Sequence, residues 1–105
     1  MAVEHLTTSN FTEKIKSAHV AVVDLWAEWC GPCRSMLPIV DKIGEAFEGK
    51  ALIGKVNADE EPDIPAEYGV RSIPTFLFFK DGELADKHVG IMSESDFKAK
   101  IENLL

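Results

Sequence analysis

Cys30 and Cys33 are the only cysteines of this chain, and they stand three apart in Trp29-Cys30-Gly31-Pro32-Cys33. On a helix, side chains three positions apart are neighbours. A disulfide needs Cα atoms about 4.4–6.8 Å apart, which one helical turn supplies. The pair is therefore able to open and close with little backbone movement, and the chemistry it suits is thiol–disulfide exchange. As a staple it would do little: closing a four-residue ring is worth ~2 kcal/mol, against nearly 5 for a ring of ~100 residues. A structural zinc site needs four ligands, and one Cys-x-x-Cys supplies two. His5, His19 and His88 are scattered singly and are expected at the surface. Inert core cysteines are the remaining alternative. Two of them within one turn, split by Gly-Pro, speak against it.

The flanking residues suit this chemistry. Val20 to Ala27 is apolar at both parities apart from Asp24, as in a strand buried on two faces. A helical pattern begins after Cys30, which places Cys30 at a helix start. Unpaired backbone N–H groups and the positive dipole end favour a thiolate there. Pro32 fits a first turn, where its missing N–H has no partner to lose. Gly31 leaves the sulfur uncovered, and Cys33 is expected to be the more buried of the two.

Asp24 is a lone carboxylate in the apolar strand, and a buried bare carboxylate must find a partner or raise its pKa. The alternative, a strand edge in water, is disfavoured by the apolar flanks, and the spacing from Cys30 lets Asp24 lie beneath the helix start, where it can accept or deliver a proton. Lys55 is an isolated cation in the next apolar strand. It reads equally as a charge partner of Asp24 or as a side chain snorkelling to solvent. Pro74 cannot donate to a strand ladder, so it belongs at a strand start or in a cis turn.

The rest of the chain supplies the frame. Ser9 or Asn10 is placed to cap a helix carrying Phe11, Ile15 and Ala18. Met36, Val40, Ile43 and Phe47 form one stripe of the helix after Cys30, with a kink expected at Pro38 and a stop at Gly49. Strands are expected over Ala51 to Val56 and Thr75 to Phe79, with a short helix around Ile64 to Tyr68 between them. Asp81-Gly82 predicts a hairpin into an edge strand from Leu84 to Ile91. Ser93 with Asp96 resembles a capping box and opens a last helix with Phe97, Ile101, Leu104 and Leu105 on one stripe. A short strand near Ala2 to His5 completes the order. The alternation of types predicts an α/β sandwich with a mixed sheet and helices on both faces.

The totals exclude several functions. With 105 residues the chain is one domain's worth of core. Its formal charge of −7 repels nucleic-acid backbones and anionic membrane surfaces. No apolar run approaches the roughly 20 residues that span a bilayer. The first residues lack the pattern of a signal peptide, so the chain reads as cytoplasmic.

With these residues in order, the chain resembles the thioredoxin family from about Phe11 to Leu105. The match rests on Trp26-Ala27-Glu28-Trp29-Cys30-Gly31-Pro32-Cys33, Asp24, Pro38, Asp59, Arg71-Ser72-Ile73-Pro74-Thr75, Lys80-Asp81-Gly82 and Gly90. Arg34, Ala58 and Ser72 depart from the commoner residues at their positions without touching the redox segment. The resemblance implies a thioredoxin fold over residues 1–105, a mixed sheet of four to five strands flanked by about four helices. It implies that Cys30 attacks, Cys33 resolves, Asp24 assists proton transfer with Lys55 nearby, and Pro74 is cis. Trp29, Gly31, Pro32, Ile73, Val89, Gly90 and Ile91 would form the rim that receives substrate.

What the resemblance implies for activity is a monomeric disulfide reductase that binds no cofactor. Its reducing equivalents would come from NADPH through thioredoxin reductase, and its substrates would be disulfide-containing proteins. Two other readings stand beside it. One is an accessory binding module that uses the rim without redox turnover. The other is an oxidase or isomerase domain from an oxidising compartment, which the Gly-Pro dipeptide and the lack of further cysteines disfavour.

Overall fold

A computed structural model describes residues 2–105. In chain order the elements are β1 (Glu4–His5), α1 (Phe11–Ser17), β2 (Val20–Trp26), α2 (Gly31–Ala46), β3 (Leu52–Asn57), α3 (Asp63–Glu67), β4 (Thr75–Lys80), β5 (Glu83–Val89) and α4 (Glu94–Leu104). The strands form one sheet in the order β1-β3-β2-β4-β5. β3 runs parallel to β1 and β2, whereas β4 runs antiparallel to β2 and β5. The sheet is therefore mixed, with β2 at its centre.

The double-sided apolarity of β2 follows from that position. Val20 and Val22 join the core on one face, with Met36, Val40 and Ile43 of α2 and Phe97 and Ile101 of α4. Ala21, Val23 and Leu25 join the other core, with Phe11 and Ile15 of α1 and Ile64 of α3. Aromatic rings lock both layers: Phe97 meets Phe76 and Phe78 edge-on at 5.0 and 5.7 Å, and Phe11, Tyr68 and Phe79 cluster at 5.5–5.9 Å. Such pairs add to area burial.

The β4–β5 hairpin forms as expected. Asp81 and Gly82 both take positive φ, 52° and 84°, as a two-residue turn of this hand requires. β5 is an edge strand, nearly all exposed, and a bulge opposite Phe78 and Phe79 sets its register. Edge exposure explains its charged residues.

Several local expectations are corrected. Asn10 stands at the N-cap of α1 but does not cap it, because its Oδ1 accepts the Thr7 backbone N–H at 2.8 Å instead. α2 runs through Pro38 as one continuous element. Pro38 and Arg34 are exposed, so the Arg34 carbonyl that loses its N–H partner lies on the solvent side. Ser93 caps α4 as expected, by accepting the Asp96 N–H at 3.2 Å. Leu105 falls beyond α4 and is exposed rather than on the buried stripe.

Candidate active site

Cys30 is the N-cap of α2, with extended backbone angles of φ −91° and ψ 107°. The chain leaves β2, turns through Cys30 N–H donating to the Ala27 carbonyl at 3.2 Å, and enters the helix at Gly31. At this cap the sulfur takes the place that a Ser or Asp oxygen usually takes. The Cys33 backbone N–H donates to Cys30 Sγ at 3.2 Å. Cys30 and Cys33 are joined as a disulfide with Cα atoms 5.2 Å apart. That spacing lies inside the usual range, as one helical turn predicts.

Both cysteines are buried, Cys33 completely and Cys30 with 4% of its surface exposed. They pack with Ala27, and Trp26 and Ile73 lie against them. Gly31 and Pro32 are exposed and form the outer lip of the turn. The Ile73 carbonyl lies 3.8 Å from Cys30 Sγ, which brings the start of β4 against the redox pair. The Ile73–Pro74 peptide bond is cis and Pro74 is buried. Thr75 secures the same corner by donating its hydroxyl to the Ser72 carbonyl.

The rim residues converge on this corner from three segments. The Gly90 N–H donates to the Pro74 carbonyl at 2.8 Å, and Gly90 has φ +98°, a region that favours glycine. This bond holds Val89, Gly90 and Ile91 beside Pro74. Val89 and Ile91 are large apolar side chains left 58% and 65% exposed, and Trp29 is 70% exposed. Trp29 is oriented by donating its indole Nε1–H to Asp59 Oδ2 at 2.8 Å. Asp59 is itself placed by a turn at the end of β3, where Asn57 Oδ1 accepts the Asp59 and Glu60 N–H groups. The sequence reading noted Asp59 but gave it no task. An acid in a turn carries no local signal that an indole lies beside it.

Asp24 lies on the α2 face of the sheet, since it shares the parity of Val20 and Val22. It is 1% exposed, and neither carboxyl oxygen has a hydrogen-bond partner among the described residues. Burial raises its pKa to about 7, and the Lys55 charge pulls against that rise. Lys55 pairs with Asp24 across β2 and β3, so the two side chains share a face. The Lys55 ammonium lies over the Trp26 ring at 5.4 Å and makes no ion pair within 4 Å among the described residues. Lys55 thus acts on Asp24 through space, with its cation held on an aromatic face.

The thioredoxin family profile matches residues 2–103. The chain belongs to the thioredoxin family. It is 45% identical over 92 residues to a thioredoxin of Rickettsia felis, covering 87% of this chain and 88% of that one. It is 42% identical over 105 residues to thioredoxin 1 of a Nostoc strain, covering 99% and 98%. A mutant thioredoxin from Halobacterium salinarum superposes with a TM-score of 0.90 at 30% identity, covering 97% of this chain and 89% of that one. The five-stranded mixed sheet with four helices is the thioredoxin fold. Family membership and the Cys30–Cys33 pair together fit a reductase working by dithiol–disulfide exchange. Among the described residues no cluster of His, Cys, Asp or Glu is arranged to hold a metal, and no helix is long and apolar enough to cross a membrane.

Proposed function

We propose that this protein is a general reductant of protein disulfides, with residues 1–105 working as one domain. The observation that carries the reading is the Cys33 N–H directed at Cys30 Sγ at the start of α2. In the reduced protein the Cys30 thiolate stands where that sulfur stands, and the same N–H and the helix dipole stabilise it.

The reaction runs in two exchanges. The Cys30 thiolate attacks a substrate disulfide, forms a mixed disulfide and expels one substrate thiolate. Cys33 then loses its proton and attacks Cys30 Sγ. This closes the Cys30–Cys33 disulfide and releases the second substrate thiolate. Two electrons pass from the dithiol to the substrate. Asp24 takes the Cys33 proton through water. A carboxyl with a pKa of about 7 is suited to that exchange near neutral pH. Lys55 tunes Asp24, and Pro74 holds the corner that the substrate faces. Trp29, Gly31, Pro32, Ile73, Val89, Gly90 and Ile91 receive the substrate chain.

The disulfide is returned to the dithiol by an NADPH-dependent thioredoxin reductase, and the protein acts as a cytoplasmic monomer with no bound cofactor. Insulin-disulfide reduction with reductase and NADPH tests the scheme. The wild type is expected to turn over, and the Cys30→Ser/Cys33→Ser double variant to be inactive. Cys33→Ser alone should accumulate a mixed disulfide. A double variant that retains its cellular role would turn the assignment toward a binding module. A reduction potential above that of the glutathione pool would contradict the reducing direction.

A further inference from the structure

The rim loop Val89-Gly90-Ile91 is tied down at two points. The first is the backbone bond from the Gly90 N–H to the Pro74 carbonyl, which needs no particular side chain. The second does: the His88 imidazole Nε2 lies 2.9 Å from the Ile91 carbonyl oxygen. A carbonyl only accepts, so Nε2 carries the hydrogen. The bond spans the Gly90 turn.

The ring that makes this bond is itself held. His88 pairs with Phe76 across β4 and β5, and the two rings lie 6.5 Å apart, centroid to centroid. Phe76 is completely buried against Phe97. His88 is half-buried, and the Ile91 carbonyl is the sole hydrogen-bond partner of its imidazole among the described residues. On its open side is a groove of about 340 Å³ whose walls include Ser93, Asp96 and Lys100. The imidazole thus links the core, through Phe76, to the backbone of the loop that presents Val89 and Ile91.

We infer that His88 is a positioning residue for recognition of protein substrates. It fixes the Ile91 carbonyl and so the pose of the two exposed apolar side chains, without contacting the redox pair. This assignment rests on the disulfide-reductase reading and specifies how one edge of that site is kept in shape. A preformed loop spares the ordering cost that a mobile one incurs when a protein docks. A small disulfide that reaches Cys30 without touching the loop gains nothing from it. His88 is therefore expected to act on KM for protein disulfides, and neither on kcat nor on small-disulfide reactivity.

Three variants separate the possibilities. His88→Phe keeps a ring against Phe76 and loses the donor. His88→Ala loses both. His88→Gln restores a donor at nearly the position of Nε2. Each is assayed with insulin and with a small aromatic disulfide, both under dithiothreitol as the reductant. The loss of one hydrogen bond of ordinary net strength predicts a KM for insulin raised about fivefold in His88→Phe and His88→Ala. The kcat and the small-disulfide rate should stay within about twofold of wild type, and His88→Gln should recover most of the KM. An unchanged insulin KM in His88→Phe overturns the inference. So does an equal loss on both substrates, or a Gln variant no better than Ala. Failure of the wild type on both disulfides would instead remove the reductase reading, and the positioning role with it.

Discussion

The Asp24→Asn substitution gives the sharpest test, because its effect has a sign that changes with pH. In the unfolded chain an Asp titrates near 3.8, and in the folded protein burial raises Asp24 to about 7. Between those values the folded state binds a proton that the unfolded state has released. Stability therefore falls as pH rises through that window, and it levels off above about 7. Below about 3.8 both states are protonated and the group contributes nothing. The window is about three pH units, and at 1.36 kcal/mol per unit the full loss is roughly 4 kcal/mol. An Asn at this position carries no charge, so it escapes this loss. It leaves a buried amide in place of a buried neutral carboxyl, a similar desolvation in both. The variant should therefore match the wild type near pH 4 and exceed it by several kcal/mol at pH 8.

Urea unfolding of the oxidised protein at half-unit steps from pH 4 to pH 8.5 measures this. At a slope of ~2 kcal/mol/M the midpoint difference should grow from near zero to roughly 2 M. Every other titrating group is common to both proteins and cancels in the difference. A difference that stays flat with pH, or a variant less stable than the wild type at pH 8, would refute the reasoning. Resolution at Cys33 should slow in the same variant, because it lacks the proposed proton acceptor.

Three further outcomes follow from named contacts. Lys55→Met removes the charge that restrains Asp24, so the Asp24 carboxyl should titrate above about 7, and its pH window of stability loss should extend upward. A carboxyl NMR titration with an unmoved or lower midpoint would count against the through-space coupling. Ser93→Ala removes the α4 cap and should cost ~1 kcal/mol in urea unfolding, with Ser93→Asp near wild type; an Ala variant as stable as wild type would deny the cap any role. Gly54→Ala would set a Cβ 2.7 Å from Leu6 Cδ1 and 3.3 Å from the Glu4 carbonyl oxygen. It should cost ~1–3 kcal/mol and speed amide exchange in β1, whereas unchanged exchange would mean that β1 accommodates the methyl group.

The elements were legible because each carries a local signal. The two-sided apolar run marked β2, Asp81-Gly82 marked the hairpin, and Ser93 marked the start of α4. Where side chains had two options, the local signal failed. Asn10 turned to Thr7, and Leu105 ran past the last helical turn into solvent. Of the strand order, only the β4–β5 hairpin at one edge was legible. Parallel pairing of β2 with β3 joins residues some thirty positions apart, and no local pattern encodes that register.

The same division runs through the site. By itself the sequence determined the redox pair, its place at a strand-to-helix junction, and the need of a buried Asp24 for either a partner or a raised pKa. Those are consequences of residue type and of spacing within one turn. Only the tertiary structure decided what the pair faces. The Ile73 carbonyl, the Gly90 bond, the Asp59 anchor of Trp29 and the His88 bond to Ile91 all join segments distant in sequence or close a turn upon itself. The position of the Lys55 charge, over Trp26 rather than on Asp24, was likewise set by packing. Side-chain directions at such contacts are fixed by the sheet register and the layers around it, and those exist only once the chain has folded.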